Sequence, residues 1–135
     1  MIENVQIRAT KLVDGLGKLE YNERLMKLNL PTLAYRRIRG DMIETFKHFH
    51  KYDKDVLSPS FQPRSRSSRA HNFQLHLLKA KDGLRGIQTN SFYFRIAQTW
   101  NNLPRMVVDA PNIDTFKNRL DKLWENEQIK FDHTV

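Results

Sequence analysis

The chain has no cysteine, so no disulfide, thiolate metal site or cysteine nucleophile can be built from it. It has no apolar run of the about 18 residues that a membrane-spanning helix needs. Its opening, Met1-Ile2-Glu3-Asn4, lacks the basic stretch leading into an apolar one that marks a secretory signal. These absences predict an intracellular protein in a reducing compartment, without a membrane partner. Acids are almost missing from the middle of the chain: between residues 56 and 108 eight Lys/Arg stand against Asp82 alone, whereas residues 1–55 carry 11 against 8 and residues 109–135 carry 4 against 6. The net charge is +8. A cationic block with one acid cannot neutralise itself through local ion pairs, so its expected partner is a polyanion.

Signatures of catalysis are missing as well. There is no Gly-rich phosphate loop, no Gly-x-Ser-x-Gly, no His-Glu-x-x-His and no pair of acids of the kind that holds two metals in polymerases and nucleases. No enzyme activity, cofactor, metal or small-molecule substrate is expected. His48 and His50 are two residues apart, which on a helix sends them to different faces and prevents joint metal binding. His71 and His76 fit either a plain surface role or contact with phosphate.

What is present is helical periodicity. With 135 residues, 39% of them hydrophobic, the chain suffices for one compact unit with a modest core. Ile2, Val5, Ala9, Leu12 and Val13 recur at helical spacing, with Gln6, Arg8 and Lys11 largely off that stripe. They predict a first helix with a buried apolar face, ended by Gly15 and Gly17. A short second helix is expected from about Tyr21 to Leu28, with Leu25 and Leu28 on one side, before Asn29-Leu30-Pro31 turns the chain. Thr32 is placed to cap a third, from about Leu33 to Lys51. There Tyr35, Ile38, Met42, Phe46 and Phe49 keep a three- and four-residue spacing, and Ile43 widens the stripe. Arg36, Lys47 and Lys51 fall on one flank and Arg37 opposite the core. Arg39 falls within the apolar arc, where it must snorkel, pair with a buried acid or reach a ligand. Gly40 inside the helix predicts close approach of another backbone.

The pattern breaks after Tyr52. Residues Asp53 to Asn72 hold Ser58-Pro59-Ser60, Pro63 and the run Arg64-Ser65-Arg66-Ser67-Ser68-Arg69, with too few apolar side chains to offset the cost of ordering, and predict a flexible loop. The Ser/Arg run fits a solvated linker, contact with a nucleic-acid backbone, or a nuclear-localisation or phosphorylation-controlled element. Phe73, Leu75 and Leu77 then alternate with Gln74 and His76 as a half-buried strand. Asp82-Gly83 makes a turn, and a short partner strand is expected around Arg85 to Gln88. From Ser91 to Pro104 an aromatic helix presents Phe92, Ile96, Thr99, Trp100 and Leu103 on one face, with Arg95, Gln98 and Asn102 elsewhere. Pro104 lacks an N–H and restricts Leu103, so this helix should stop at Asn101 or Asn102. A last helix, capped by Asn112 or Asp114, should bury Ile113, Phe116, Leu120, Leu123 and Trp124, with both tryptophans in the core and the chain frayed from Glu127 on. The predicted fold class is mainly α, a small helical domain of about five helices with one short β-hairpin-like element. Its parts are an N-terminal helical part (1–52), a basic loop (53–72), the hairpin with the C-terminal helices (73–126) and a tail (127–135).

Several blocks of the chain resemble one family when taken in order. They are Ile2-Glu3-Asn4-Val5-Gln6 with Arg8-Ala9-Thr10-Lys11-Leu12-Val13; Tyr21-Asn22-Glu23-Arg24-Leu25; Leu30-Pro31-Thr32-Leu33; Tyr35-Arg36-Arg37 with Arg39-Gly40-Asp41-Met42-Ile43; Trp100-Asn101-Asn102-Leu103-Pro104; Val107-Val108-Asp109-Ala110-Pro111; and Phe116-Lys117 with Arg119-Leu120-Asp121. Over about residues 2–124 this order is similar to the region downstream of the polymerase domain in jockey-like non-LTR retrotransposon reverse transcriptases. Ile7 stands where that family commonly has a basic residue. The family's Tyr/Phe-x-Asp-Asp metal-binding motif and its endonuclease have no counterpart here. The resemblance implies thumb-adjacent helices and a C-terminal segment that help hold template and primer in an enzyme that copies element RNA into DNA. It does not carry over the chemistry.

Together these readings predict a nucleic-acid-binding accessory region whose cations neutralise RNA or DNA phosphates, without a recognition helix or stacking platform for reading bases. The candidate residues are Arg64, Arg66 and Arg69, then Arg36, Arg37, Lys79, Lys81, Arg85 and Arg95. The alternative is a protein-interaction scaffold that docks a polymerase core or an acidic partner. Either role suits a nuclear or nucleocytoplasmic location.

Overall fold

The computed structural model describes residues 3–50, 73–75, 92–132 and 134, and of residues 92–95 the backbone alone. The described chain is mainly helical. Its elements are α1 (Glu3–Lys11), α2 (Tyr21–Leu28), α3 (Leu33–His50), α4 (Phe92–Asn101), α5 (Arg105–Val108), α6 (Ile113–Leu123) and a 3-10 turn at Gln128–Lys130. Where one compact unit was expected there are two, one made of residues 1–40 with 124–135 and the other of residues 41–123. The expected loop of residues 53–72 and all of the hairpin after Leu75 lie outside the described residues.

In the first unit the helix ends follow from local chemistry. α2 closes at Asn29, which adopts the left-handed conformation (φ 50°) so that its own N–H reaches the Met26 carbonyl and the Leu30 N–H reaches that of Leu25. This paired closure satisfies carbonyls the helix leaves open, and it accounts for the turn read at Asn29-Leu30-Pro31. Thr32 caps α3 as the sequence predicts, its Oγ1 accepting the Tyr35 N–H at 3.1 Å. Tyr21, Leu25 and Tyr35 are buried, and Trp124 meets Tyr35 edge-on at 6.1 Å between centroids.

Two expectations fail in this unit. α1 turns its polar side inward: Glu3 and Thr10 are buried, while Val5, Ala9, Leu12 and Val13 are exposed. The reason is hydrogen bonding. The Glu3 carboxylate accepts the Tyr21 hydroxyl at 2.6 Å and the Leu33 N–H at 3.1 Å, and Gln6 Nε2 donates to the Pro31 carbonyl at 3.1 Å. Nor is the tail loose. Residues 128–130 form the 3-10 turn, the Thr32 N–H and hydroxyl donate to the Lys130 and Ile129 carbonyls, and Asn22 donates to Asp132.

The second unit is built on an aromatic core. Phe46 stacks on Phe116 at 4.4 Å, Phe49 on Trp100 at 5.5 Å, and Trp100 lies 6.0 Å from Phe116. Met42, Leu75, Ile96, Val108 and Leu120 fill the space around them. α4 stops at Asn101, within the bounds set by Pro104, which then begins α5, its carbonyl accepting the Val107 N–H at 3.0 Å. This one-turn helix was not anticipated, because four residues are too few for periodicity to register. Asn112 caps α6 through the Thr115 N–H at 2.8 Å.

Further details differ from expectation. Ile113 is only half-buried and Leu123 exposed although both lie on the helical stripe, and Trp124 is half-buried because it falls just past the end of α6, where the stripe loses its helical register. Gly40 has no close neighbour among the described residues: a Cβ built there would meet none of them within 4 Å.

Candidate nucleic-acid interface

Two of the nine candidate cations, Arg36 and Arg37, have described side chains. Both are exposed on α3, and among the described residues neither makes an ion pair. They sit in the helix's first two turns, where burial of Tyr35 and Met42 sets the inward direction and so sends these two arginines to solvent. Arg39, the arginine placed within the apolar arc, is half-buried and held in further interactions.

A cation missed by the sequence reading joins this region. The 3-10 turn brings Lys130 to the start of α3, where its carbonyl accepts the Thr32 N–H at 2.8 Å and its ammonium lies 6.0 Å from the Tyr35 ring centroid. The only sequence signal was a lone lysine in an acidic tail, which local pattern could not place. Arg24, by contrast, serves the fold. It is buried, and its guanidinium donates to Thr10 Oγ1 at 3.2 Å, to the Leu19 carbonyl at 2.5 Å and to the Ile7 carbonyl at 3.3 Å.

Arg64, Arg66, Arg69, Lys79, Lys81 and Arg85 lie outside the described residues, as do His71 and His76, and the Arg95 side chain is likewise not described, although its backbone belongs to α4. What is described is the short segment that separates the two basic stretches in sequence. Residues 73–75 are gripped by the end of α4: Trp100 Nε1 donates to the Phe73 carbonyl at 2.9 Å, and the Asn101 amide both accepts the Leu75 N–H at 2.7 Å and donates to its carbonyl at 2.8 Å. One asparagine thus serves both polar groups of a backbone residue, as a neighbouring strand would. This gives the Trp100-Asn101 pair a definite role, which the helical face alone did not reveal.

Nearby, His50 stacks on Phe46 at 4.2 Å and lies 4.8 Å from Phe73. Packing against these rings takes water from the imidazole and holds its pKa below the ordinary value, which the opposing charge of Asp109 offsets only in part. Among the described residues no cluster of His, Cys, Asp and Glu could hold a metal, and no helix is long and apolar enough to cross a membrane. The second unit holds most of the charge excess, with 14 Lys/Arg against 8 Asp/Glu over residues 41–123. Comparison of the chain with family models, curated proteins and solved structures finds no match.

Proposed function

We propose that this chain is a nucleic-acid-binding accessory region without polymerase chemistry of its own, of the kind found downstream of the catalytic domain in the reverse transcriptases it resembles. The observation that carries the reading is the stretch of residues 56–108, with eight cations against one acid. Arg36 and Arg37, exposed and without ion pairs among the described residues, extend the supply of available charge. Cations of this sort fix a protein on a phosphate backbone without reading bases.

The test is charge reversal at Arg64, Arg66 and Arg69 together. The triple glutamate variant should bind RNA and duplex DNA of any sequence more weakly, and its salt slope should fall by roughly 0.7 to 0.9 for each phosphate it no longer neutralises. Undiminished binding at equal ionic strength would overturn the reading. The native chain should incorporate no nucleotide opposite a template, since it lacks the carboxylates that would hold the metals.

A second reading, the interaction scaffold, is favoured by one observation: α1 exposes apolar side chains at helical spacing. Binding of RNA, duplex DNA and an acidic polypeptide, compared at one ionic strength, separates the two.

A further inference from the structure

We infer that the outward face of α1 is a docking surface for a helical protein segment that carries its own apolar stripe with acids along one edge. The inference extends the scaffold reading and is independent of nucleic-acid binding through residues 64–69.

The geometry starts from which side of α1 is held. At about 100° per residue, Glu3 and Thr10 point into the first unit and are fixed there by Tyr21, Leu33 and Arg24. Val5 and Ala9 then point almost directly away, and Leu12, in the turn that follows α1 with its N–H on the Ala9 carbonyl at 3.2 Å, continues their four- and three-residue spacing into one stripe. Val5 is 70% exposed, Leu12 86% and Val13 41%. Met26 of α2, the helix that packs against α1, is 57% exposed. Scattered exposed apolar residues are ordinary, but a row at helical spacing on a face opposite the packed one is the pattern of a helix that meets another helix.

The composition of the row and its edge specify the occupant. Ala9 in the middle lets a facing backbone come close, with Val5 and Leu12 as the larger side chains at either end. Arg8 and Lys11 run along one edge, both exposed. Within α1 no acid balances them, because Glu3 is turned inward and Asn4 is neutral. A second copy of the chain fits poorly. Packed antiparallel it sets Arg8 and Lys11 against the same residues of its mate, and packed parallel its own α1 offers them no acid. A partner with glutamate or aspartate on the matching edge complements both the stripe and the charge. A membrane surface fits less well, since a helix of nine residues without aromatic side chains buries little in an interface.

Two synthetic helical peptides of about three heptads provide the probe, identical in their leucine stripe and differing only in glutamate or lysine along its edges. The glutamate peptide, followed by fluorescence anisotropy, should bind the full chain, and the lysine peptide should bind at least about tenfold more weakly. Changing Val5→Ser and Leu12→Ser together should abolish binding while leaving the melting curve unchanged, because both side chains already face solvent. Arg8→Glu with Lys11→Glu should invert the preference between the peptides. The triple variant at Arg64, Arg66 and Arg69 should keep the peptide site intact, which separates a failure here from a failure of nucleic-acid binding. The inference is overturned if the glutamate peptide does not bind, if the two peptides bind alike, or if the serine variant binds as well as the parent. It is equally overturned if that variant abolishes self-association in sedimentation or adsorption to anionic vesicles, since the occupant would then be a second copy or a lipid surface.

Discussion

At the scale of single residues, two positions lead to direct measurements. Gly40 sits inside α3 with open space among the described residues where its side chain would be, so none of them requires glycine there. Replacing it with alanine should raise stability by about 0.5 to 1 kcal/mol, through better helix propensity and a less flexible unfolded chain, as read by urea denaturation. A loss of stability would show that the native helix requires glycine at this position. Tyr21 is the second position. Burial and the hydrogen bond to the Glu3 carboxylate push its pKa up to about 12, from the ordinary 10.0. A folded-state pKa raised in this direction contributes stability that is complete below pH 10 and is lost as pH climbs toward 12. Denaturation curves between pH 9 and 12 should therefore fall for the native chain, and the Tyr21→Phe variant should lose that part of the fall.

At the scale of elements, hydrogen bonds rather than apolar patterning decide how α1 and α3 begin and lie. Burying a valine or leucine is worth about 1.5 to 3 kcal/mol, yet α1 and the turn after it forgo that at Val5 and Leu12, and α1 buries Glu3 and Thr10 instead. The exchange holds because each buried polar group is satisfied: Glu3 by Tyr21 and Leu33, Thr10 and the carbonyls of Ile7 and Leu19 by Arg24. A guanidinium at the end of α1 also sits where the helix's own carbonyls favour a cation. The Thr32 hydroxyl links two elements at once, accepting from the Tyr35 N–H and donating to the Ile129 carbonyl at 2.6 Å. Thr32→Ala should cost about 1 to 2 kcal/mol in thermal or urea unfolding, with Thr32→Ser recovering most of it. A serine variant as weak as the alanine one would place the effect in the threonine methyl group.

At the scale of the molecule, the first unit depends on the last dozen residues. Trp124 against Tyr35, the turn at residues 128–130 against Thr32, and Asp132 against Asn22 all join the end of the chain to residues 1–40. A chain ended after Leu123 should lose amide protection at Thr32 and Tyr35, measured by hydrogen exchange, while Trp100, in the other unit, keeps its buried fluorescence. Retained protection at Thr32 and Tyr35 would show that α2 and α3 hold their junction without the tail.

The sequence by itself determined what is local. The bounds of α2, the cap at Thr32, the stop before Pro104 and the buried pair Phe116 and Leu120 follow from turn chemistry and helical spacing, which involve residues at most a few positions apart. The charge of residues 56–108 is likewise a property of composition, and with it the expectation of a polyanionic partner. Only tertiary structure decided which face of α1 is buried, because partners such as Tyr21, Arg24, Pro31 and Leu33 lie more than a dozen residues away. The same holds for the tail docked on Thr32, about 97 residues distant in sequence, and for the grip of Trp100 and Asn101 on residues 73–75. A hydrophobic pattern states what a helix would prefer to bury. Long-range hydrogen bonds, each costly to leave unmade once its groups are inside, settle what it does bury.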